Sequence, residues 1–202
     1  MLSRRSLLAS VLALSFGLAQ AAAVVGQPAP DFSVRDATGQ EVKLSQFRGK
    51  HVVLEWMNPG CPFVRKHYES GNIPATQKEA LAKGVVWLSL YSNDDDSWGY
   101  TKPGKLQEWA RARSAAPTAL LIDGSGTVGK AYGARTTPHM FLVSPTGVLL
   151  YAGGIDSIAS TDKDDIPKAT NYVRQALGEA LAGKPVSVAS SRPYGCMIKY
   201  KS

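Results

Sequence analysis

The sequence predicts a single α/β domain, a central sheet flanked by helices, on three observations. Extended and helical segments alternate through the middle of the chain, and turn-forming residues punctuate them without marking a linker. Over 202 residues, 44% hydrophobic against 19% charged content is that of an ordinary globular fold and argues against disordered or fibrous classes. No internal repeat or low-complexity tract interrupts the pattern.

At the start of the chain Arg4 and Arg5 precede an apolar run from Leu7 to Leu18, and Ala19-Gln20-Ala21 supplies small residues suited to a signal peptidase. Residues 1–21 therefore read as a cleaved export signal, which predicts a periplasmic or secreted protein. A run of about 12 apolar residues is too short to span a bilayer, so stable membrane insertion is not expected. Ser3-Arg4-Arg5-Ser6-Leu7-Leu8 also resembles a twin-arginine signal, and the translocon is left open. The formal charge of +7 falls by two once Arg4 and Arg5 are removed, and the basic residues left are scattered, so nucleic acid is not implied. Two cysteines in an oxidising compartment invite a redox reading.

Phe32 to Val34 and Glu41 to Leu44 flank Asp36-Ala37-Thr38-Gly39, whose composition suits a hairpin turn. His51 to Met57 is β-branched and aromatic, and runs through Asn58-Pro59-Gly60 into a helix opened by Pro62. Cys61 thus sits where a strand hands over to a helix. That helix is expected to be interrupted or kinked near Gly71 to Pro74, with Ala75 to Lys83 helical and Gly84 as its stop. Val85 to Tyr91 reads as a buried strand, Lys105 to Arg113 as a helix, Thr118 to Ile122 as extended and Thr127 to Tyr132 as a short helix. This alternation implies a mainly parallel sheet. Met140 to Val143 and Val148 to Tyr151 form a hairpin across Ser144-Pro145-Thr146-Gly147, Ile166 to Leu181 is an amphipathic terminal helix, and Gly183 to Ser202 lacks clear periodicity.

Over residues 26–182 this order, with Thr137-Pro138 ahead of the last hairpin, resembles the thioredoxin superfamily. Ala29-Pro30-Asp31-Phe32, Gly49-Lys50 and the strand around Leu54 resemble its redoxin branch, the AhpC/TSA or peroxiredoxin-like proteins. The resemblance implies a thioredoxin-like fold: a central mixed sheet flanked by helices, with an N-terminal β-hairpin extension and, over 183–202, a C-terminal cysteine-bearing tail. Glu55-Trp56-Met57-Asn58-Pro59-Gly60-Cys61-Pro62-Phe63-Val64 is similar to the thioredoxin active-site strand and turn, which puts Cys61 at the nucleophile and Val64 where CxxC has its second cysteine. The resolving thiol must then come from elsewhere, and Cys196 is the only internal candidate. By the same resemblance Thr137-Pro138 is a cis-proline dipeptide lying against the cysteine, and Glu55 a buried acid that exchanges protons with the thiols. Arg192-Pro193-Tyr194-Gly195-Cys196-Met197-Ile198-Lys199-Tyr200 resembles the cysteine-bearing C-terminal motif of a subgroup of peroxiredoxin-like redoxins.

A helix N-terminus favours thiolate over thiol, and Arg65, Lys66 and His67 are expected to add to that field. Other readings stand beside these. Cys61 is otherwise a small buried hydrophobe. Cys61 and Cys196 otherwise form a permanent staple, worth about 4–5 kcal/mol in the chain-entropy model. Glu55 otherwise points to solvent or pairs with a lysine. His67 and His139 offer proton transfer or, with the thiols, zinc or copper ligation, and otherwise are hydrogen-bonded or surface groups; His139 is the stronger candidate. Asp94-Asp95-Asp96 lacks the alternating spacing of a calcium loop and reads as a solvated loop.

The expected activity is thiol-disulfide exchange, with a protein or small-molecule disulfide as substrate and a thioredoxin-like electron donor. The alternatives are a thiol peroxidase acting on hydroperoxides, disfavoured because Asn58 stands where peroxiredoxins carry a hydroxyl and Pro138 near their arginine, and a metal carrier using Cys61, Cys196 and His139. Arg135 is close enough to Pro138 to substitute for that arginine. A purely structural or interaction role is the remaining alternative. Nothing in the sequence indicates a nucleotide, flavin or haem, and the preferred reading needs no cofactor or metal.

Overall fold

The computed structural model describes residues 22–201; the predicted export signal lies outside the described residues. An N-terminal hairpin pairs β1 (Ser33–Arg35) with β2 (Glu41–Lys43). Asp36 closes its turn, its carboxylate accepting hydrogen bonds from the Thr38 and Gln40 backbones. The main sheet contains β3 (Val52–Trp56), β4 (Val86–Tyr91), β5 (Ala119–Ile122), β7 (His139–Val143) and β8 (Leu149–Gly153), in the order β5-β4-β3-β7-β8. A further short strand, β6 (Thr136–Thr137), pairs with β9 (Cys196–Met197) of the tail. The helices are α1 (Pro62–Glu69), α2 (Asn72–Ala82), α3 (Pro103–Arg111), α4 (Thr127–Tyr132) and α5 (Tyr172–Leu181).

The sheet is mixed rather than mainly parallel. β3 runs parallel to β4 and β4 to β5, but β7 is antiparallel to both β3 and β8, because a hairpin follows the last βα unit. Central β3 is buried on both faces, and its alternation divides the core. Val53 and Met57 face a cluster with Cys61, Val64, Tyr68 and Trp87, whereas Val52, Leu54 and Trp56 face another with Tyr132 and Phe141. Each such fully buried side chain contributes about 1.5–3 kcal/mol of burial free energy.

The expected interruption near Gly71 to Pro74 is a clean break, and the second helix starts earlier than Ala75: Gly71 adopts φ 77°, α2 starts at Asn72, and Pro74 falls in its first turn, where a missing N–H costs little. The terminal helix is also divided. Lys163–Lys168 is a 3-10 segment containing Pro167, and α5 starts afresh behind Asn171, whose side chain accepts from the Arg174 N–H. No helix among the described residues is long and apolar enough to cross a membrane.

After α5 the chain folds back along the β8 edge. Ala152 N–H donates to the Ala189 carbonyl, and the Ser191 hydroxyl meets Tyr151 Oη at 2.7 Å. It then crosses the end of the sheet as β9 and finishes on α4, where Tyr200 Oη donates to the Ala134 carbonyl over Gly126 and Gly129. A Cβ on Gly129 would lie 2.2 Å from that hydroxyl.

Candidate active site

β3 delivers the chain to a tight turn in which Asn58 Oδ1 accepts from the Gly60 N–H and the Asn58 carbonyl from the Cys61 N–H. Cys61 is the N-cap of α1 in extended backbone geometry, followed by Pro62 at the first helical position. The thiol does not accept from the helix N–H groups. Cys61 is 1% exposed and its Sγ lies 3.1 Å from the Thr137 carbonyl oxygen, to which the thiol donates. The Thr137-Pro138 peptide bond is cis. Val64, at the second position of the CxxC pattern, is buried in the core under α1.

The tail completes the site. β9 pairs antiparallel with β6 so that Cys196 is opposite Thr137, whose carbonyl Cys61 reaches. Both cysteines are free thiols, and Cys196 packs against the cluster containing Cys61. Burial, then a hydrogen bond to Cys61 and the charge Cys61 bears when ionised, push the Cys196 thiol up to about 12. Cys196 is therefore the thiol of the pair that burial and its neighbour hold protonated. Gly195 makes the approach possible: its φ is 125°, and a Cβ there would lie 2.0 Å from the Thr137 carbonyl oxygen. Beside these residues a cleft of about 540 Å³ is walled by Thr136, Gly195, Tyr194, Asp156 and Arg192.

The positive field expected from the rest of α1 takes another form. Arg65 turns to Glu69, at 3.1 Å. Among the described residues, buried Lys66 has no hydrogen-bond partner for its Nζ. His67 is held neutral, its pKa lowered to about 3 by burial and then by the Lys66 charge. The imidazole engages Asn72 Nδ2 at 2.8 Å and Tyr194 Oη at 3.1 Å, not a cysteine.

Glu55 is 0% exposed and pairs with no lysine. Tyr68 donates to its Oε1, and Trp87, Ser89 and Gln77 donate to its Oε2. Burial raises its pKa against the pull of these four bonds, and none of them links it directly to a cysteine. His139 lies against Phe141, accepts from the Arg135 N–H and is lowered to about 4 by burial and Arg135. Cys61, Cys196 and His139 are not brought together: among the described residues only Asp94, Asp95 and Asp96 place three such ligand atoms within 4.8 Å of one another. Lys201 approaches two of those aspartates, at 4.0 and 3.7 Å.

Sequence reasoning assigned no part to Tyr194, Gly195 or Asp156. The first two stand in the tail motif, and their proximity to Cys196 was the available signal; Asp156 had none.

A sequence model of the AhpC/TSA family matches residues 25–152. Over 135 residues the chain is 30% identical to "Thiol-disulfide oxidoreductase ResA" of Geobacillus thermodenitrificans, an alignment covering 66% of this chain and 71% of that one. Over 112 residues it is 29% identical to "Peroxiredoxin Bcp" of Bacillus subtilis, covering 54% of this chain and 62% of the relative's length. Among solved structures, a hypothetical protein from Sinorhizobium meliloti 1021 superposes with a TM-score of 0.75 at 25% identity, over 90% of this chain and 97% of that one. An uncharacterized conserved protein from Geobacillus kaustophilus gives 0.78 at 26%, over 88% and 93%.

Proposed function

Because the chain belongs to the AhpC/TSA family, we propose that it is a thiol-dependent oxidoreductase which exchanges disulfides through Cys61 and resolves the product through Cys196. The observation that carries this reading is the placement of both free thiols beside Thr137, Cys61 through its hydrogen bond and Cys196 through strand pairing. Cys61 attacks a substrate disulfide, forming a mixed disulfide and expelling one thiolate. Cys196, losing its proton, attacks Cys61 Sγ, and the second substrate thiolate leaves. The substrate gains two electrons, the protein dithiol becomes a disulfide, and a thioredoxin-like donor returns it to the reduced state.

In this reading the cis Thr137-Pro138 pair orients the Cys61 thiol, and the cleft beside Gly195 admits substrate. Glu55, a buried acid with a raised pKa, exchanges protons with the dithiol. The export signal read in residues 1–21 places the reaction in the periplasm or outside the cell. The named relatives include a peroxiredoxin, so reduction of a hydroperoxide by the same two cysteines is the second reading. Exchange is preferred because Asn58 stands where peroxiredoxins carry a hydroxyl and Pro138 near their arginine, and the Cys61 thiol donates to the Thr137 carbonyl instead.

The test is to present the reduced protein with a model disulfide and, separately, with hydrogen peroxide, and to map products by mass spectrometry in wild type, Cys61→Ser and Cys196→Ser. Wild type should form a Cys61–Cys196 bond fastest with the disulfide, and thioredoxin should reduce it. Cys196→Ser should stop at the mixed disulfide, and Cys61→Ser should not react at that site. Faster oxidation by peroxide would move the assignment to peroxidase; two unreactive thiols would end the catalytic reading.

A further inference from the structure

We propose that Tyr194, held by His67 and Asp156, is a positioning residue that sets Cys196 against Cys61 for the resolving step; this rests on the dithiol reading above. Tyr194 precedes Cys196 by two residues. Its hydroxyl donates to Asp156 Oδ1, and His67 Nε2 lies 3.1 Å from Tyr194 Oη. On the other ring nitrogen, His67 Nδ1 accepts from Asn72 Nδ2, which assigns the imidazole proton to Nε2. By its shortest contacts a relay is directed from Asn72 through His67 and Tyr194 to Asp156, and His67 Nε2 also faces Asp156 Oδ2 at 3.7 Å. Because His67 stays neutral down to about pH 3, the relay keeps this sense across the physiological range.

The clasp is built on the helix that carries the nucleophile. Phe63 and His67 lie four residues apart on one face of α1, two and six residues beyond Cys61, and both meet Tyr194: the Phe63 ring edge-on at 5.7 Å, His67 through its hydrogen bond. A displacement of α1 therefore carries Cys61 and the anchor of Cys196 together. Asp156 is fixed in turn, its Oδ1 also accepting from the Ile158 N–H and its backbone bridging Asn171 ahead of α5. On the far side of Cys196, the Ile198 N–H donates to the Arg135 carbonyl. Cys196 is thus suspended between two anchors, and Gly195 lets the first of them press the chain onto Thr137. None of the relay's four side chains is hydrogen-bonded to a sulfur, so its part is placement rather than chemistry.

A single-turnover reaction of the full chain with excess 5,5′-dithiobis(2-nitrobenzoate) separates the steps. Attack by Cys61 releases a first thionitrobenzoate at a rate proportional to reagent. Attack by Cys196 on the resulting mixed disulfide releases a second at a rate independent of reagent. Tyr194→Phe keeps the ring against Phe63 and removes only the hydroxyl. It should slow the second phase by about tenfold, the loss of one charge-assisted hydrogen bond, and leave the first within about twofold. Asp156→Asn, which keeps shape and loses charge, should slow the same phase selectively. A second phase present in wild type but unchanged in both variants would overturn the proposal alone, as would equal slowing of both phases in both variants. A wild-type protein with no reagent-independent phase would overturn the dithiol reading and this proposal with it.

Discussion

Cys61 is held by the core, at the joint between a central strand buried on both faces and a helix that packs on it, whereas Cys196 arrives on a segment whose longest regular element is two residues. Around the first cysteine the structure is set by apolar burial and by a saturated acid, Glu55. Around the second it is set by single hydrogen bonds reaching across the sequence: Tyr194 to Asp156, Ile198 to Arg135 and Tyr200 to Ala134. Under the proposed exchange, a nucleophile that must stay at a fixed distance from its helix belongs in the first environment. A thiol that must move onto a mixed disulfide belongs in the second, because a few polar contacts open at far lower cost than a core.

The contrast is broken most severely at Glu55. Glu55→Ala strands the donors of Tyr68, Trp87, Ser89 and Gln77 in a dry interior and should cost about 3–5 kcal/mol, read as a lower urea midpoint at unchanged slope. A loss under about 1 kcal/mol would mean the acid is not a structural centre of this region.

Gly195→Ala should act on the tail alone. The new Cβ collides with the Thr137 carbonyl, so β9 should lift, and Cys196 should react with iodoacetamide about tenfold faster, while the melting temperature moves by only about 2 °C. Unchanged alkylation with a large fall in melting temperature would show that the tail is as much part of the core as β3.

The smallest effect sharpens the comparison by its sign. Burial raises the Glu55 pKa above its ordinary 4.5, so the folded state binds the extra proton and stability falls as pH climbs from 4.5 through the raised value. His67 is lowered from 6.5 to about 3, so the unfolded state binds the extra proton and stability falls as pH drops from 6.5 toward 3. Each contributes at most about 1.4 kcal/mol per pH unit. Urea titrations between pH 4.5 and 6.5 should therefore tilt in opposite directions: His67→Gln unmasks the loss with rising pH, and Glu55→Gln the loss with falling pH. Slopes of equal sign would break the pairing.

The same division decided what could be read in advance. The handover at Cys61 was legible because β-branched residues, a turn and Pro62 declare a strand and a helix start locally, and the two hairpins were legible from their turn residues. The helix ends were less so, since Gly71 and Asn171 reset the backbone where hydrophobic periodicity carries on. The unusual surroundings of Glu55 showed in its alternation with Leu54 and Trp56, but its partners come from α1, α2 and β4, and only the fold assembles them. Cys196 was recognisable as a chemical candidate, and its path to Cys61 was not. That path depends on Ser191 meeting Tyr151 and on Tyr200 filling the space over Gly126 and Gly129, contacts that leave no periodic trace. The charge expected from Arg65 and His67 failed for a related reason, because burial and a nearby glutamate decide what a basic side chain does.

Trp98 is 89% exposed, yet the end of the tail lies across it: Lys199 Nζ sits 4.9 Å over its ring and donates to its carbonyl oxygen. Trp56 and Trp87 are sealed in the two cores, where the tail does not reach them by hydrogen bonds. The indole stacked under a tail ammonium is thus a native optical reporter: lifting β9, as in Gly195→Ala, should withdraw Lys199 and change Trp98 emission over the steady background of Trp56, Trp87 and Trp109.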